Sequence, residues 1–487
     1  MVESPLLVET VTGRTMAELR AARDAAQQAD LVELRLDGIA GIDVAGALSG
    51  RQRPVIVTCR PRWEGGRFDG SESDRRRILE EALERGAEYI DIEWRAGFDT
   101  LVQSGSGARV VLSMHDFDGV PADLTDRVRA MRGTGAEIIK VAVMARRLCD
   151  ALPLRALTRD RGAVVIAMGQ AGVSTRLLAS HFGSCWTYAG DGIAPGQIPA
   201  ARMIKDFRFR QVRSSWAVYG VVGRAALLSL SPAMHNAAFE AAGLDAVYVP
   251  LQPQDFDDFL QFADAIGLAG ASVTIPYKLD AFHAARRKDE AAGRVGAVNT
   301  LRRTEDGWDA TNTDVVGFLA PLMAAYGRPL DGVRASVLGA GGAARAVVVA
   351  LASQGTRVTV HARHSDQARE VAKLVSGAIG DWPPQPDSWD LLVNCTPLGG
   401  VNDSDESPMP GGPFRGRLIY DLIYRPAETR LLREARRAGC ATLNGLPMLI
   451  AQAERQFEWW TGRTPHPGAM RTAIETELQA EQPVTQG

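Results

Sequence analysis

Over its first 210 or so positions the chain alternates short apolar runs with amphipathic stretches. The runs at 6–11, 31–36, 55–59, 89–92, 110–115, 138–143, 164–168 and 185–188 read as strands. Helix-like segments lie between them. One opens on Thr15-Met16-Ala17-Glu18, a capping box whose hydroxyl and carboxylate satisfy free N–H groups. About eight βα units in this length is the count of a (β/α)₈ TIM barrel, where chemistry gathers at the C-terminal ends of the strands.

The rhythm stops at RFRQVRSSW (208–216), and a second α/β pattern follows. It predicts strands at 217–222, 246–251 and 270–275 and a helix at 314–326. A strand at 335–339, a glycine-rich turn, a helix at 343–354 and a strand at 357–361 then make a Rossmann-like βαβ unit. The segment 448–460 is again helical. The Pro/Gly/Ser-rich stretch 401–414 is expected to be a mobile loop over a site, and 481–487 to fray. The expected division is a barrel at 1–211, a second domain at 216–330, a Rossmann-like domain at 331–443, and C-terminal helices at 444–480 that return to the second domain.

Composition removes several classes. Lys plus Arg is 55 and Asp plus Glu 58, a formal charge of −3, with 46% hydrophobic and 23% charged residues. These are globular values. Near-neutrality argues against a nucleic-acid partner, which requires a basic surface. The runs Arg75-Arg76-Arg77 and Arg286-Arg287-Lys288 are read as solvated helix faces. Five cysteines without a C-x-x-C pair suit a reducing compartment, and the seven scattered histidines show no H-E-x-x-H, so no metal is expected. With no basic, apolar leader and no run of about 18 apolar residues, no membrane partner is expected and the location is read as cytoplasmic. Oligomeric state is left open.

Polar residues cluster at the predicted strand ends. Glu33 and Arg35 close the second strand, Arg60 follows the third, and His115 ends the fifth. Lys140 sits within the sixth, Arg176 follows the seventh, and Gln197 follows the eighth. Period-two alternation in IIKVAVM puts Ile138, Lys140 and Ala142 on one face. A barrel strand is covered on both faces, so burial should favour the neutral amine, the form that attacks a carbonyl to give a Schiff base. The bland alternative is a Lys140–Glu33 salt bridge. His115 is a candidate general acid and base, against the alternative of a core histidine bonded to Asp116 or Glu33. Arg60 and Arg176 are candidates to clamp a carboxylate. Glu64-Gly65-Gly66 reads as a flexible rim turn.

In order and spacing, ELRLD (33–37), CRPRWEGG (59–66), SMHDF (113–117), IIKVAVM (138–144), MGQAGVSTR (168–176) and APGQI (194–198) resemble the type I 3-dehydroquinate dehydratases. The resemblance implies that Lys140 forms an imine with the substrate ketone. His115 then removes the neighbouring proton and returns one to the departing hydroxyl, oriented by Glu33. Arg35, Arg60, Arg176 and Gln197 would hold hydroxyls and carboxylate. Where the family usually has Ser before the PGQ loop, this chain has Ile193.

Gly339-Ala340-Gly341-Gly342-Ala343-Ala344 reads as G-x-G-x-x-A between a strand and a helix, the context in which backbone N–H groups approach a pyrophosphate. After the next strand, His361-Ala362-Arg363-His364 offers Arg363 where an NAD enzyme places a carboxylate, which favours NADP. Lys278 and Asp314 are read as an ordinary salt bridge or, if the fold brings them together, as a pair that shares a proton. SLSPAMHN (229–236), VTIPYK (273–278), GAVNT (296–300), NTDVVG (312–317), GAGGAAR (339–345), NCTPLG (394–399), DLIY (421–424) and NGLPMLIAQAERQF (444–457) are similar to the shikimate dehydrogenases. The resemblance implies that Ser229, Ser231 and Tyr424 bind a substrate carboxylate. Thr274, Asn299, Asp314, Gln452 and Gln456 would bind ring hydroxyls. Lys278 with Asp314 would handle the proton, and Gly339, Ala340, Gly341, Gly342, Ala343, Arg363 and Thr396 would hold NADP. It also makes 216–330 the substrate domain and 331–443 the cofactor domain.

Together the halves resemble the fused dehydratase–dehydrogenase of plants. The expected substrates are 3-dehydroquinate, 3-dehydroshikimate and shikimate. The alternatives are a catabolic quinate/shikimate dehydrogenase using NAD, and a ligand-sensing regulator built on inactive enzyme folds.

Overall fold

A computed structural model describes residues 4–480 other than 105, 106, 108, 159–161, 402 and 413. The tail 481–487, expected to fray, lies outside the described residues. Contacts group the chain into two compact units, residues 1–218 with 245–267 and residues 219–244 with 268–487. Among the described residues no helix is long and apolar enough to cross a membrane.

The first unit is a parallel barrel. Its strands are β1 (Leu6–Val11), β2 (Leu31–Arg35), β3 (Val55–Thr58), β4 (Tyr89–Glu93), β5 (Val110–Asp116), β6 (Ile138–Met144), β7 (Ala163–Met168) and β8 (Trp186–Ala189). They run in the order 7-6-5-4-3-2-1-8. Between β7 and β8 the Cys185 N–H donates to the Ala163 carbonyl at 2.9 Å and the Val165 N–H to Ser184 Oγ at 3.1 Å. Each sequence-predicted strand is present, with ends that move by a residue or two.

Strand alternation builds the interior in layers. Leu31, Ile56, Val111, Ile138, Val164 and Trp186 share a buried apolar cluster. Two residues further along the same strands, and so on the same face, stand Glu33, Thr58, Ser113 and Lys140. The apolar layer seals one end and leaves the polar layer facing the C-terminal mouth. The helix Glu72–Glu84 corrects one expectation. Arg75 is not solvated: it is fully buried, ion-paired to Glu93 and Glu72, with its guanidinium 4.7 Å from the Phe98 ring centre. Arg77 is exposed as expected.

Strand β9 (Ala217–Val222) leads into the second unit, while β10 (Ala246–Leu251) and the helix Phe256–Ile266 are grouped with the first. β11 (Gly270–Val273), β12 (Arg287–Lys288), β13 (Thr300–Thr304) and β14 (Gly307–Thr311) continue from β9 in the order 9-11-13-14-12. The strand expected over 270–275 stops at Val273, ahead of Pro276, which has no N–H to extend a ladder.

A third, all-parallel sheet contains β15 (Arg334–Leu338), β16 (Arg357–His361), β17 (Ala378–Ile379), β18 (Leu391–Asn394), β19 (Leu418–Asp421) and β20 (Ala441–Leu443). Its order, 17-16-15-18-19-20, is the doubly wound arrangement 3-2-1-4-5-6. The order reverses between β15 and β18, and that switch point opens a crevice at the strand ends. A Cβ on Gly317 would lie 2.6 Å from Gln452 Cβ, so glycine permits the close crossing of helices Asp314–Tyr326 and Leu446–Thr461. Among the described residues of the expected loop, its C-terminal part is anchored. Met409 and Phe414 are buried in a cluster with Trp389, Ile419 and Leu431, which anchors the loop to the core.

Replacing Arg75 by Ala leaves the Glu93 carboxylate buried with one partner fewer. Such a loss costs about 3–5 kcal/mol. Denaturant unfolding should show a large destabilisation in Arg75→Ala and almost none in Arg77→Ala. Equal, small effects would contradict the buried assignment.

Candidate active sites

All seven sequence-predicted barrel residues line one cavity, together with Thr10, Tyr188 and Ile193. Lys140 lies inside the lumen as expected, but its electrostatics differ. Its Nζ is 3.0 Å from Asp91 Oδ2 and 3.4 Å from Glu33 Oε1, and 4.1 Å from the Tyr188 ring centre. Burial alone would favour the neutral amine, and the two carboxylates reverse that, holding the ammonium above the ordinary lysine range. The resting lysine is a paired cation.

Arg60, expected at a substrate carboxylate, is embedded beside it. It bridges Asp91 at 3.0 Å and Glu93 at 2.8 Å and donates to Ser113 Oγ at 2.7 Å. Glu93 passes the chain on to Arg75. Glu33 was expected to orient His115. Instead it accepts from Thr58 at 2.9 Å and Thr10 at 3.0 Å and pairs with Lys140. The residue that holds His115 is Glu64. Its Oε1 accepts the His115 backbone N–H at 2.9 Å and lies 3.1 Å from Nδ1. Burial and the nearby cations Arg60 and Lys140 keep the imidazole neutral, well below its ordinary pKa. Burial also pushes the Glu64 carboxyl up to about 7, against the pull of Arg60.

Arg35 forms a two-point pair with Asp37 at 2.8 and 3.0 Å and stays partly exposed to the cavity. Gln197 Oε1 accepts the Ala194 N–H at 2.9 Å, and its Nε2 reaches Thr10 at 3.4 Å. Arg176 stands apart. It is 2% exposed, and among the described residues its side chain bonds the Ala167 and Pro195 carbonyls, both at 3.1 Å. Its Nε has no partner among the described residues, and burial lowers its pKa to about 10. A buried cation without a counter-ion, beside a cavity, is a site for an anion.

The second unit gathers its expected residues at the crevice. Lys278 Nζ lies 2.5 Å from Asp314 Oδ2. Asn299 donates to Asp314 Oδ1 at 2.8 Å and to Thr313 Oγ1 at 2.9 Å, and lies 3.4 Å from Gln452 Oε1. Gln456 departs from expectation. It donates to the Asn299 carbonyl at 3.2 Å and Thr300 Oγ1 at 3.0 Å and accepts from Ser272 at 2.7 Å, so both of its amide hydrogens are committed to bracing Asn299 and its neighbour. Ser229 Oγ accepts the Ser231 N–H at 3.1 Å where the helix Ser231–Ala241 begins. Thr274 and Tyr424 are half-buried.

The glycine-rich turn adjoins this cluster. A Cβ on Gly342 would lie 2.9 Å from Lys278 Cδ, and one on Gly339 would lie 3.2 Å from Thr396 Cγ2. A Cβ on Gly341 would meet nothing within 4 Å, so open space lies over the turn beside Ala340 and Ala343, at the start of helix Gly342–Ala352. Its free N–H groups suit a pyrophosphate. At the end of β16, His361 is turned inward to the Asp381 carbonyl at 2.7 Å and Ser336 Oγ at 3.0 Å. Arg363 is exposed just beyond. With Arg363 in place of a carboxylate just after that strand, the residues present fit a dinucleotide with a 2′-phosphate.

The sequence reading missed Asp91, Glu93, Glu64 and Arg75. The alternation in YIDIE, which puts Asp91 and Glu93 on one face of β4, was a usable signal. Nothing in sequence marked Glu64 as the histidine's partner.

Fold and geometry define a two-site α/β enzyme: a lysine-centred barrel of the kind that works on carbonyl compounds, joined to a dinucleotide-binding oxidoreductase. Residues 8–214 match the family described as type I 3-dehydroquinase, 221–301 the shikimate dehydrogenase substrate binding domain, and 445–475 the shikimate 5′-dehydrogenase C-terminal domain. A chloroplastic bifunctional 3-dehydroquinate dehydratase/shikimate dehydrogenase of Arabidopsis thaliana is 32% identical over 470 residues, 89% of this chain and 78% of that protein. An NADP⁺ shikimate dehydrogenase of Moorella thermoacetica is 40% identical over 55% of this chain and 96% of its own. A crystal structure of a shikimate dehydrogenase in complex with NADP⁺ superposes with a TM-score of 0.52 at 33% identity, covering 55% of this chain and 97% of that one. The chain belongs to the bifunctional 3-dehydroquinate dehydratase/shikimate dehydrogenase family.

The Glu64 carboxyl holds its proton more tightly in the folded protein than in the unfolded chain. Its contribution to stability is therefore full below about pH 4.5 and is lost as pH rises to about 7. Subtracting the pH–stability curve of Glu64→Gln from that of the parent should isolate this decline. A flat difference between pH 4.5 and 7 would contradict the assignment.

Proposed function

We propose that the chain catalyses two consecutive steps: dehydration of 3-dehydroquinate to 3-dehydroshikimate in the barrel, and NADPH-dependent reduction of that ketone to shikimate in the second unit. The observation that carries the reading is the juxtaposition, in one cavity, of Lys140 with the uncompensated Arg176. A keto acid has the two groups these residues complement. The carboxylate pairs with Arg176, and the carbonyl is presented to Nζ of Lys140.

The amine attacks only after losing its proton. The neutral imidazole of His115 lines the same cavity and is the acceptor we assign, with Glu64 offsetting the positive charge. Condensation passes that proton from His115 to the departing oxygen, which leaves as water, so that an iminium and a neutral imidazole remain. That cation draws electron density from the adjacent carbon and so acidifies its proton. His115 removes this proton and then protonates the departing hydroxyl. Hydrolysis of the imine releases 3-dehydroshikimate and regenerates the lysine. Asp91 and Glu33 stabilise the cationic nitrogen, a role that their ion pairs with the resting lysine support.

In the second unit, NADPH supplies the hydride when bound. The chain's own residues position the ketone and handle the proton. Ser229, Ser231 and Tyr424 take the carboxylate, while Thr274, Asn299 and Gln452 take hydroxyls. The Lys278–Asp314 pair delivers a proton to the oxygen at the reduced carbon. The glycine turn, Thr396 and Arg363 hold the dinucleotide. The four-part domain division at 1–211, 216–330, 331–443 and 444–480 stands as part of this proposal. So does a reducing, cytoplasmic setting, which five unpaired cysteines support.

Borohydride added with 3-dehydroquinate should trap one adduct on the peptide carrying Lys140. Lys140→Met should abolish both adduct and dehydratase turnover while leaving shikimate oxidation intact. Arg176→Ala should raise the dehydratase KM about 10–100-fold, the value of a charge-assisted hydrogen bond. Lys278→Met should lower dehydrogenase kcat by about 10²–10⁴-fold without touching the barrel reaction. An adduct elsewhere, or turnover by Lys140→Met, would refute the barrel assignment.

A further inference from the structure

Strands β18 and β19 end side by side, with Asn394 and Asp421 as register partners at their tips. Both side chains are fully buried. The Asp421 carboxyl accepts three hydrogen bonds: from Asn394 Nδ2 at 2.9 Å, from the Ile423 N–H at 3.2 Å, and from the Thr429 hydroxyl at 2.7 Å. Only the NH₂ side of the Asn394 amide can face a carboxylate, so the amide's orientation is fixed. Its Oδ1 is thereby turned to Thr396, where it accepts the backbone N–H at 2.9 Å and the hydroxyl at 2.7 Å. Thr396 stands against the glycine-rich turn. On the other side, the held Ile423 N–H immediately precedes Tyr424.

We infer that Asp421 is a positioning residue of the dehydrogenase half: one buried carboxylate that sets the Thr396 wall of the dinucleotide cradle and the Tyr424 wall of the substrate pocket together. The inference rests on the functional reading above.

The anion is the working form. A protonated or amidated group at 421 carries a donor of its own, which competes with Asn394 Nδ2, the Ile423 N–H and the Thr429 hydroxyl for acceptors. Asn394 then keeps only the longer contact from Nδ2 to the Leu398 carbonyl, at 3.4 Å, to hold its orientation, and a flip would set its NH₂ against the Thr396 N–H, donor against donor. The groups around the carboxyl are neutral. Cys395, from the turn after β18, has its thiol pushed above the ordinary range by burial and by Asp421, and Lys278 faces that thiol. The Tyr420 hydroxyl is likewise pushed up by burial. Burial raises the Asp421 carboxyl to about 6, against the pull of its three donors. Positioning should therefore fail as pH falls through about 6.

The test uses the full chain and three readouts: the NADP⁺ dissociation constant by calorimetry without substrate, shikimate kinetics from pH 5 to 9, and dehydratase turnover as a check on folding. Asp421→Asn should weaken NADP⁺ binding and raise the shikimate KM, each about tenfold, the loss of one charge-assisted hydrogen bond. Its kcat/KM should lose the acid limb that the parent shows near pH 6. Thr429→Ala removes one donor from the carboxylate, which destabilises the anion, so its acid limb should move to higher pH while constants at pH 8 stay near the parent's. The inference is overturned if Asp421→Asn changes only one of the two constants, or neither, or keeps the acid limb. If that variant does not fold, an unmoved limb in Thr429→Ala overturns it. A parent chain that binds NADP⁺ but does not turn over shikimate would defeat the functional reading instead, and the NADP⁺ constant of Asp421→Asn would still decide the Asn394–Thr396 link.

Discussion

Lys140 sits in a lumen where burial works against its charge, and its protonation is decided by what the barrel places around it. Asp91 and Glu33 contact the ammonium, Arg60 bridges Asp91 to Glu93, and Arg75 reaches Glu93 from the helix layer. Three cations thus interleave with three carboxylates. In a medium of low dielectric, removing any partner strands its neighbour as a buried, uncompensated charge. The arrangement explains why Arg60 is not free for a substrate and why Arg176, outside the network, is. It also accounts for where the chemistry can occur. The apolar layer of Leu31, Ile56, Val111 and Ile138 closes the lumen beneath, so the network opens only toward the mouth.

The dehydrogenase half solves a different positioning problem. Its crevice lies at the topological switch point between β15 and β18, and three close approaches make it compact. Gly317 lets the helix bearing Asp314 cross the helix bearing Gln452, Gly342 admits Lys278, and Gly339 admits Thr396. A Cβ would collide at Gly317 and Gly342 and crowd Thr396 at Gly339, so these glycines set how near cofactor-facing and substrate-facing residues come. Gln456 and Asp421 then act one step back, by holding the Asn299 backbone carbonyl and the Asn394 side-chain amide.

Much of this was readable in the sequence because barrel strands and Rossmann units carry strong local signals. Period-two alternation located Lys140 on an inward face, and the strand–GAGGAA–helix context located the cofactor turn. Charge state was not readable in the same way, because it depends on residues far apart in the chain. The lysine was expected to be neutral since burial was considered without Asp91, which lies 49 residues away. Arg75 was expected in water because it sits in a run of three arginines, and only the helix's packing against Glu93 and Phe98 distinguishes it from Arg77. Glu64 takes the place beside His115 expected of Glu33 for a related reason. A rim turn's approach to a strand-end histidine is a tertiary fact, with no periodicity to reveal it. The 401–414 stretch has loop composition, yet Met409 and Phe414 bury enough apolar surface to pin it.

The barrel chemistry turns on a resting lysine that is a paired ammonium and releases its proton only when substrate engages the cavity. Direct ¹⁵N detection of labelled lysine side chains would observe it. With no substrate present, the Lys140 nitrogen should keep an ammonium chemical shift through pH 9, and Asp91→Asn should move its titration to lower pH. A neutral-amine shift for Lys140 at pH 7 in the parent protein would contradict the charge network on which the rest of the mechanism stands.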